Sequence, residues 1–146
     1  MALWKHEPDL DRLNGWSDNT LMQVLGIRLT EIGDDFLRGT MPVDARTHQP
    51  YGILHGGASV ALAETLGSSA AMLCVDPETE VTVGLDINAN HIRAVRSGTV
   101  TGTARALHIG RTTQVWEIRI EDEAGHLVCM SRLTMAVVPK RAIRGA

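Results

Sequence analysis

The sequence contains few cysteines and few aromatic residues, and it lacks long apolar runs. Its two cysteines, Cys74 and Cys129, form none of the spacings typical of metal or disulfide motifs. No apolar run approaches the roughly 20 residues that a membrane-spanning helix needs, and the first residues show no secretory signal pattern. These absences predict a protein of the reducing cytoplasm that does not span a membrane.

A surplus of basic residues is also missing. The chain carries 14 Lys and Arg against 17 Asp and Glu, a formal net charge of -3 at pH 7. This balance argues against nucleic-acid binding, because such proteins usually present a clustered basic surface. Residues 87–116 in turn contain no acidic residue, and their basic and histidine side chains are Arg93, Arg96, Arg105, Arg111, His91 and His108. This segment is compatible with a local anion site.

Two familiar catalytic motifs are missing as well. The six histidines are scattered, with neither an HExxH run nor a Cys–His cluster, so we expect no metal site. Residues 57–61 lack the final glycine of a nucleophile elbow, and no strand precedes them. Ser59 is therefore not expected to act as a nucleophile.

The sequence does contain the pattern of a single α+β domain over residues 1–146. Two strand-like runs at residues 27–32 and 36–41 are joined by Gly33, Asp34 and Asp35, which tolerate the dihedral angles of a tight turn, and they predict a hairpin. A long helix follows at residues 56–74. Alternating apolar residues from 81 to 138 then predict three or four strands in an antiparallel meander, with the helices on one face of the sheet.

The long helix consists largely of small and apolar residues, and Glu64 is its one charged side chain. Burying a carboxylate without a partner costs several kcal/mol, so Glu64 either is paired for structural reasons or performs chemistry. Small side chains would let a sheet pack closely around the helix and would place the helix in the core; they are Gly57, Ala58, Ala61, Ala63, Gly67, Ser68, Ser69, Ala70 and Ala71. The alternative interpretation is a helix that serves packing alone.

The residues at the start of this helix could bind a developing negative charge. His55, Gly56 and Gly57 stand where backbone N–H groups lack helical partners and the helix dipole is positive. Ser68 lies four residues after Glu64, hence on the same face, where its hydroxyl could orient a water molecule or the carboxylate. The plainer alternatives are a turn with a helix cap and a serine that only packs.

Helix geometry separates these two sets of residues. Gly56 and Glu64 are eight residues apart, about 12 Å along a helix that rises about 1.5 Å per residue. They cannot contact one carbonyl group together. If both are catalytic, Glu64 must come from a second subunit whose helix runs antiparallel. The spacing therefore predicts a site at the interface of a two-fold dimer.

A further segment could bind phosphate. It lies between two predicted strands and offers backbone N–H groups, hydroxyls and a guanidinium. Its residues are His108, Ile109, Gly110, Arg111, Thr112 and Thr113. An ordinary hairpin turn is the alternative interpretation.

Three linked motifs resemble the hotdog-fold acyl-CoA thioesterases, most closely the branch of the enterobactin-proofreading and 1,4-dihydroxy-2-naphthoyl-CoA thioesterases. The motifs are QPYGILHGGAS at residues 49–59 with Glu64, GLDINANH at 84–91, and LHIGR at 107–111 followed by QVW at 114–116. The resemblance covers residues 27–138. It implies a long central helix wrapped in an antiparallel sheet, a homodimer joined through its sheets, and pairing of dimers into a homotetramer.

The resemblance also implies roles for single residues. Glu64 would be the nucleophile or general base, the Gly56 N–H would donate to the oxyanion, and the Gln49 side chain would hold the thioester carbonyl. His55 and Ser68 would position the substrate or water. The residues that would contact the pantetheine and nucleotide of CoA are Gly84, His91, Ile92, Arg93, Ala94 and the segment from His108 to Thr113.

The implied substrate is an acyl-CoA, preferably an aryl-acyl-CoA, or the thioester of an acyl- or aryl-carrier protein. No metal or redox cofactor is required for such a hydrolysis. Two alternatives stay open: a hotdog dehydratase or hydratase of 3-hydroxyacyl thioesters, and a non-catalytic module that binds acyl-CoA or a carrier protein. Release of free CoA and formation of an enoyl product would distinguish them.

Overall fold

The computed structural model describes residues 2–143. In chain order its elements are α1 (Leu10–Gly15), α2 (Leu21–Leu25), β1 (Arg28–Ile32), β2 (Phe36–Pro42), α3 (Gly56–Leu73), β3 (Glu80–His91), β4 (Thr99–Ile109), β5 (Thr113–Glu121), β6 (Leu127–Pro139) and a 3-10 turn (Lys140–Ala142). The strands form one antiparallel sheet in the order β1-β2-β4-β5-β6-β3, and α3 packs against five of them. The α+β hotdog fold expected from the sequence is confirmed.

Buried and less buried side chains alternate along the central strands, and the buried ones face α3. In β5, Trp116, Ile118 and Ile120 are fully buried, and the residues between them point to the other face. Leu62 and Leu66 of α3 are also fully buried. The apolar face of the sheet and one face of α3 therefore form a shared core.

Glycines let α3 lie close to the sheet. A Cβ atom at Gly102 of β4 would lie 2.5 Å from Leu66 Cδ1, and one at Gly67 of α3 would lie 2.6 Å from Leu133 Cδ2. Both distances are well below van der Waals contact, so a larger residue would force packed neighbours to move. The small-residue helix forms the core, as the sequence predicted.

The hairpin of β1 and β2 is confirmed, but the predicted meander is wrong in one respect. β4, β5 and β6 do form a meander, whereas β3 pairs with β6 at the edge of the sheet instead of with β4. No residue of β3 is fully buried, while Val100, Gly102 and Ala104 of β4 are. The more buried strand takes the central place under α3, and residues 92–98 cross between the two positions.

The edge strand β3 is long and carries apolar side chains toward solvent. It has 12 residues, and a register shift between Gly84 and Asp86 interrupts its pairing with β6. Leu85, within this shift, is 61% exposed, and Ile92, just after the strand, is 59% exposed. Within residues 2–143 no strand pairs with the outer edge of β3. An unpaired edge of this length, with Leu85 and Ile92 exposed beside it, is a surface suited to pairing with another strand.

Two further features concern what the described part of the chain lacks. Among residues 2–143, no helix is long and apolar enough to cross a membrane. The same residues contain no group of three or more His, Cys, Asp and Glu side chains that could hold a metal ion.

Candidate active site

The start of α3 leaves one backbone amide available. His55 caps the helix, and its Nδ1 accepts a hydrogen bond of 2.8 Å from the Gly57 N–H. The N–H groups of Ala58 and Ser59 donate to the His55 carbonyl oxygen at 3.0 and 3.2 Å. Among the described residues, no acceptor pairs with the Gly56 N–H. The cap and the oxyanion site, which the sequence left as alternatives, are therefore compatible.

The segment before α3 folds back as a narrow hairpin and brings Gln49 beside the helix start. The His55 N–H donates to the Thr47 carbonyl oxygen at 2.8 Å, and the Gln49 N–H donates to the Ile53 carbonyl oxygen at 2.8 Å. Gln49 Oε1 accepts from the Tyr51 N–H. The side-chain NH₂ of Gln49 is left to donate, which is what a thioester carbonyl oxygen requires.

His91, at the end of β3, lies against the first residue of α3. A Cβ atom at Gly56 would lie 2.8 Å from His91 Nε2, so the glycine makes room for the imidazole. A cavity of about 240 Å³ adjoins this contact, and its lining is Ile53, Leu54, Ser59, His91, Ile92, Arg93, Ala94 and Val128. The structure therefore brings together seven of the predicted site residues, here called the helix-start cluster: Gln49, His55, Gly56, His91, Ile92, Arg93 and Ala94.

Glu64 lies elsewhere, over the edge strand. It is half-buried, and a Cβ atom at Gly84 would lie 2.7 Å from Glu64 Oε1. Ser68, one turn later, has its Oγ 3.8 Å from Met135 Sδ. Within residues 2–143 no Lys, Arg or His forms an ion pair with Glu64. The paired structural role that the sequence left open has no partner in this part of the chain, which favours the chemical role.

The predicted phosphate-binding turn is aligned with Glu64 and not with the helix start. Met135 of β6 pairs with Gly84 of β3 on one side and with Gln114 of β5 on the other. The predicted segment ends at Thr113, one residue before Gln114, so this end of the segment lies at the same level of the sheet as Gly84. His91 instead pairs with Cys129, six residues from Met135 and about 20 Å away at about 3.3 Å per residue. The second set, here called the carboxylate cluster, comprises Glu64, Ser68, Gly84, His108, Ile109, Gly110, Arg111, Thr112 and Thr113.

The two clusters do not form one site within a protomer. Gly56 and Glu64 are eight residues apart on the regular helix α3, about 12 Å along its axis. A thioester carbonyl held by the Gly56 amide is therefore out of reach of the same chain's carboxylate.

Sequence reasoning missed a cavity that borders the far end of α3. It has a volume of about 340 Å³ and is lined by residues of α1 together with Met72 and Leu73. The one local signal was the position of Met72, eight residues after Glu64 and hence on the same helix face. The α1 residues could not be assigned to it because they are distant in sequence.

Replacing Gly84 by alanine is expected to lower kcat about ten-fold or more, since the new methyl group would displace the Glu64 carboxylate by a fraction of an ångström or more. Steady-state hydrolysis of an acyl-CoA, the reaction that the sequence resemblance implies, measures the effect. Gly15→Ala is the matched control, because a Cβ atom there meets nothing within 4 Å, and it should retain wild-type kcat. A Gly84→Ala protein with the kcat of the control would contradict the placement of Glu64.

Comparison with known proteins identifies the family. The model of the thioesterase superfamily matches residues 51–129. The 1,4-dihydroxy-2-naphthoyl-CoA hydrolase of Escherichia coli (strain K12) is 52% identical over 136 residues, which cover 93% of this chain and 99% of the relative. The proofreading thioesterase EntH of Cronobacter turicensis is 53% identical over 136 residues, covering 93% and 98%.

A solved structure agrees with these relatives. The crystal structure of a glutamine-to-alanine mutant of thioesterase PA1618 from Pseudomonas aeruginosa is 55% identical in sequence, with a TM-score of 0.93, and the match covers 94% of this chain and 99% of that one. The chain described here therefore belongs to the thioesterase superfamily and is a thioester hydrolase.

Proposed function

We propose that the protein hydrolyses acyl-CoA thioesters at two equivalent sites, each built from two subunits of a homodimer. In each site the helix-start cluster comes from one subunit and the carboxylate cluster from the other. The observation that carries this proposal is the start of α3, where His55 accepts hydrogen bonds from the amides of Gly57, Ala58 and Ser59 and the Gly56 N–H stays free. Such a free amide at a helix N-terminus suits a developing oxyanion.

The edge strand β3 supports the two-fold arrangement. Pairing of β3 with β3 of a second copy would cover the exposed Leu85 and Ile92 and would satisfy the unpaired strand edge. Strands paired antiparallel about a two-fold axis set the two α3 helices antiparallel as well. Glu64 of one copy can then approach Gly56 of the other, which a single chain does not allow. We propose that two such dimers pair further into a homotetramer.

The proposed reaction is a carboxylate-assisted hydrolysis. The Gly56 N–H and the Gln49 side-chain NH₂ donate to the thioester carbonyl oxygen and stabilise the charge that develops there. Glu64 of the partner subunit then either attacks the carbonyl carbon or takes a proton from a water molecule that attacks it. The C–S bond breaks, and the departing sulfur of CoA receives the proton that Glu64 took from water or, where Glu64 itself attacks, a proton from solvent. In the second case a water molecule then hydrolyses the acyl–Glu64 anhydride and regenerates the carboxylate. Ser68, one turn from Glu64, orients the water or the carboxylate.

The chemistry of the two clusters fits a CoA thioester. Arg93 in the helix-start cluster and Arg111 in the carboxylate cluster are both exposed and can pair with phosphates. The name of one relative, a 1,4-dihydroxy-2-naphthoyl-CoA hydrolase, favours an aryl-acyl group. A thioester on an acyl- or aryl-carrier protein offers the same carbonyl chemistry. We propose that the reaction proceeds in the cytoplasm without a metal or redox cofactor.

Release of free thiol from a panel of aryl-, short-chain and long-chain acyl-CoAs tests the proposed function directly. Burial raises the pKa of Cys74 to about 11 and also raises the pKa of Cys129. Both buried thiols should stay protonated near pH 8 and leave the assay free of background. We expect thiol release with at least one aryl-acyl-CoA. Formation of an enoyl product without thiol release would support a dehydratase, and binding without turnover would support a non-catalytic module.

A further inference from the structure

Residues 92–98, here called the crossover, connect β3 with β4 and are hydrogen-bonded to neighbouring backbone at both ends. The Ile92 N–H donates to the Val128 carbonyl oxygen at 2.8 Å, and the Gly98 carbonyl oxygen accepts from the Val43 N–H at 2.8 Å. Between these two points the crossover belongs to no strand or helix, and nearly all of its side chains are exposed. Packing alone therefore does little to fix its middle part.

The narrow hairpin before α3 holds the middle of the crossover through two hydrogen bonds. His48 and Leu54 face each other across this hairpin as an isolated antiparallel pair. The Leu54 N–H donates to the Val95 carbonyl oxygen at 2.8 Å. His48 Nε2 lies 2.9 Å from the next carbonyl oxygen, that of Arg96. Because a carbonyl oxygen can only accept, Nε2 carries the proton and the half-buried imidazole is the donor.

These hydrogen bonds join two walls of the cavity at the helix start. Its lining includes Leu54 from the hairpin and Arg93 from the crossover. Gln49, which presents its side-chain NH₂ to the thioester carbonyl in the proposed site, directly follows His48 in the hairpin. The placement of Arg93 relative to Gln49 therefore depends on how the crossover is held against the hairpin.

We propose that His48 is a positioning residue for CoA binding. Its imidazole holds the crossover so that Arg93 can pair with a phosphate of CoA while Gln49 holds the thioester carbonyl. The inference rests on the proposed function, because it assigns the CoA arm to the helix-start cluster. His48 acts through the crossover and does not contact the substrate. Since the Leu54 N–H supplies a second attachment, loss of the imidazole loosens the crossover without releasing it.

A role in positioning and a role in stability alone differ in the substrates that they affect. Acyl-pantetheine carries the same thioester as acyl-CoA but has no phosphate with which Arg93 could pair. A loosened crossover should therefore weaken the use of acyl-CoA far more than the use of acyl-pantetheine. A general loss of structure would lower activity on both substrates alike.

The test is the ratio of kcat/KM for an acyl-CoA to that for the corresponding S-acyl-pantetheine. His48→Leu removes the donor and should lower this ratio about five-fold, the scale of one lost hydrogen bond, mainly through a higher KM for acyl-CoA. His48→Ala, which removes the same donor, should do likewise. His48→Gln should restore the ratio, because the glutamine amide nitrogen stands as many bonds from Cβ as Nε2 does. His126→Leu removes an exposed imidazole of the turn after β5 and should keep the wild-type ratio.

A double substitution shows whether His48 acts through Arg93. Arg93→Ala alone should lower the ratio, and adding His48→Leu to it should lower the ratio little further, because the group that His48 positions is already gone. A further five-fold loss in the Arg93→Ala background would overturn the inference. So would equal losses on both substrates in His48→Leu, or no rescue by His48→Gln. In each of these cases hydrolysis itself stands.

Failure of the wild type to hydrolyse any acyl-CoA would instead contradict the proposed function. The inference is then tested by calorimetry with CoA and with pantetheine as ligands. His48→Leu should raise the dissociation constant of CoA about five-fold relative to that of pantetheine, and His48→Gln should return it to the wild-type value. Unchanged constants, or no binding of CoA by the wild type, would overturn the inference.

Discussion

Replacing Glu64 by glutamine is expected to lower kcat for acyl-CoA hydrolysis by a factor of about 10² to 10⁴, the range for a lost general base, or by more if the carboxylate is the nucleophile. The amide keeps the volume of the side chain, but it can neither attack the thioester nor accept a proton from water. Glu64 is half-buried and has no ion-pair partner among the described residues. The free energy of unfolding should therefore change by no more than about 0.5 kcal/mol.

Glu78→Gln provides the matched control for this substitution. Glu78 is exposed on the turn before β3, and within residues 2–143 its carboxylate forms no ion pair. The control should keep the wild-type kcat and melting temperature. A Glu64→Gln protein with near-wild-type kcat and a folded circular dichroism spectrum would show that Glu64 is structural.

The local parts of this site were predictable from the sequence. Glu64 stood out as one charge among small residues, and Gly33 with its acidic neighbours predicted the turn of the first hairpin. Both signals lie within a few residues of the feature that they describe. The start of α3 was also predictable from neighbouring residues, because His55, Gly56 and Gly57 indicated either a helix cap or an oxyanion site. The structure shows that the cap at His55 engages the Gly57 amide and does not occupy the Gly56 amide, so both interpretations hold.

The contacts between distant segments were not predictable in the same way. β3 and β4 both show alternating residues, and this period of two does not tell which strand becomes the neighbour of β6. The contact between Gly84 and the Glu64 carboxylate depends on that pairing. The same pairing separates two of the predicted CoA contacts, because it places His91 and Arg111 at different levels of the sheet.

The cavity beside α1 depends on an even longer separation. Its floor combines Leu13 and Trp16 with Met72 and Leu73, almost 60 residues later in the chain. A short amphipathic helix can cover several surfaces of a sheet, and its own residues do not specify which one. The sequence therefore predicted candidate site residues at the start of α3 and at Glu64, and none at the opposite end of the helix.

The second large effect is expected when two inactive variants are combined. Glu64→Ala and Gln49→Ala homodimers should each be nearly inactive, because every site lacks one essential group. In the proposed dimer each site takes Gln49 from one chain and Glu64 from the other, so in a mixed dimer the two substitutions meet in one site. The second site of that dimer is then intact. Random exchange makes about half of the dimers mixed, so activity should recover to about a quarter of the wild-type value.

Subunit mixing is thus the measurement that tests the shared site most directly. The two variants are mixed in equal amounts under conditions in which exchange is verified by mass spectrometry of differently tagged chains, and thiol release is followed over time. Each variant mixed with itself serves as the control. The account predicts a rise from near zero to about a quarter of wild-type activity, in step with the mixed-dimer fraction. Verified exchange without any rise would mean that Gln49 and Glu64 act from one chain, which contradicts the shared site.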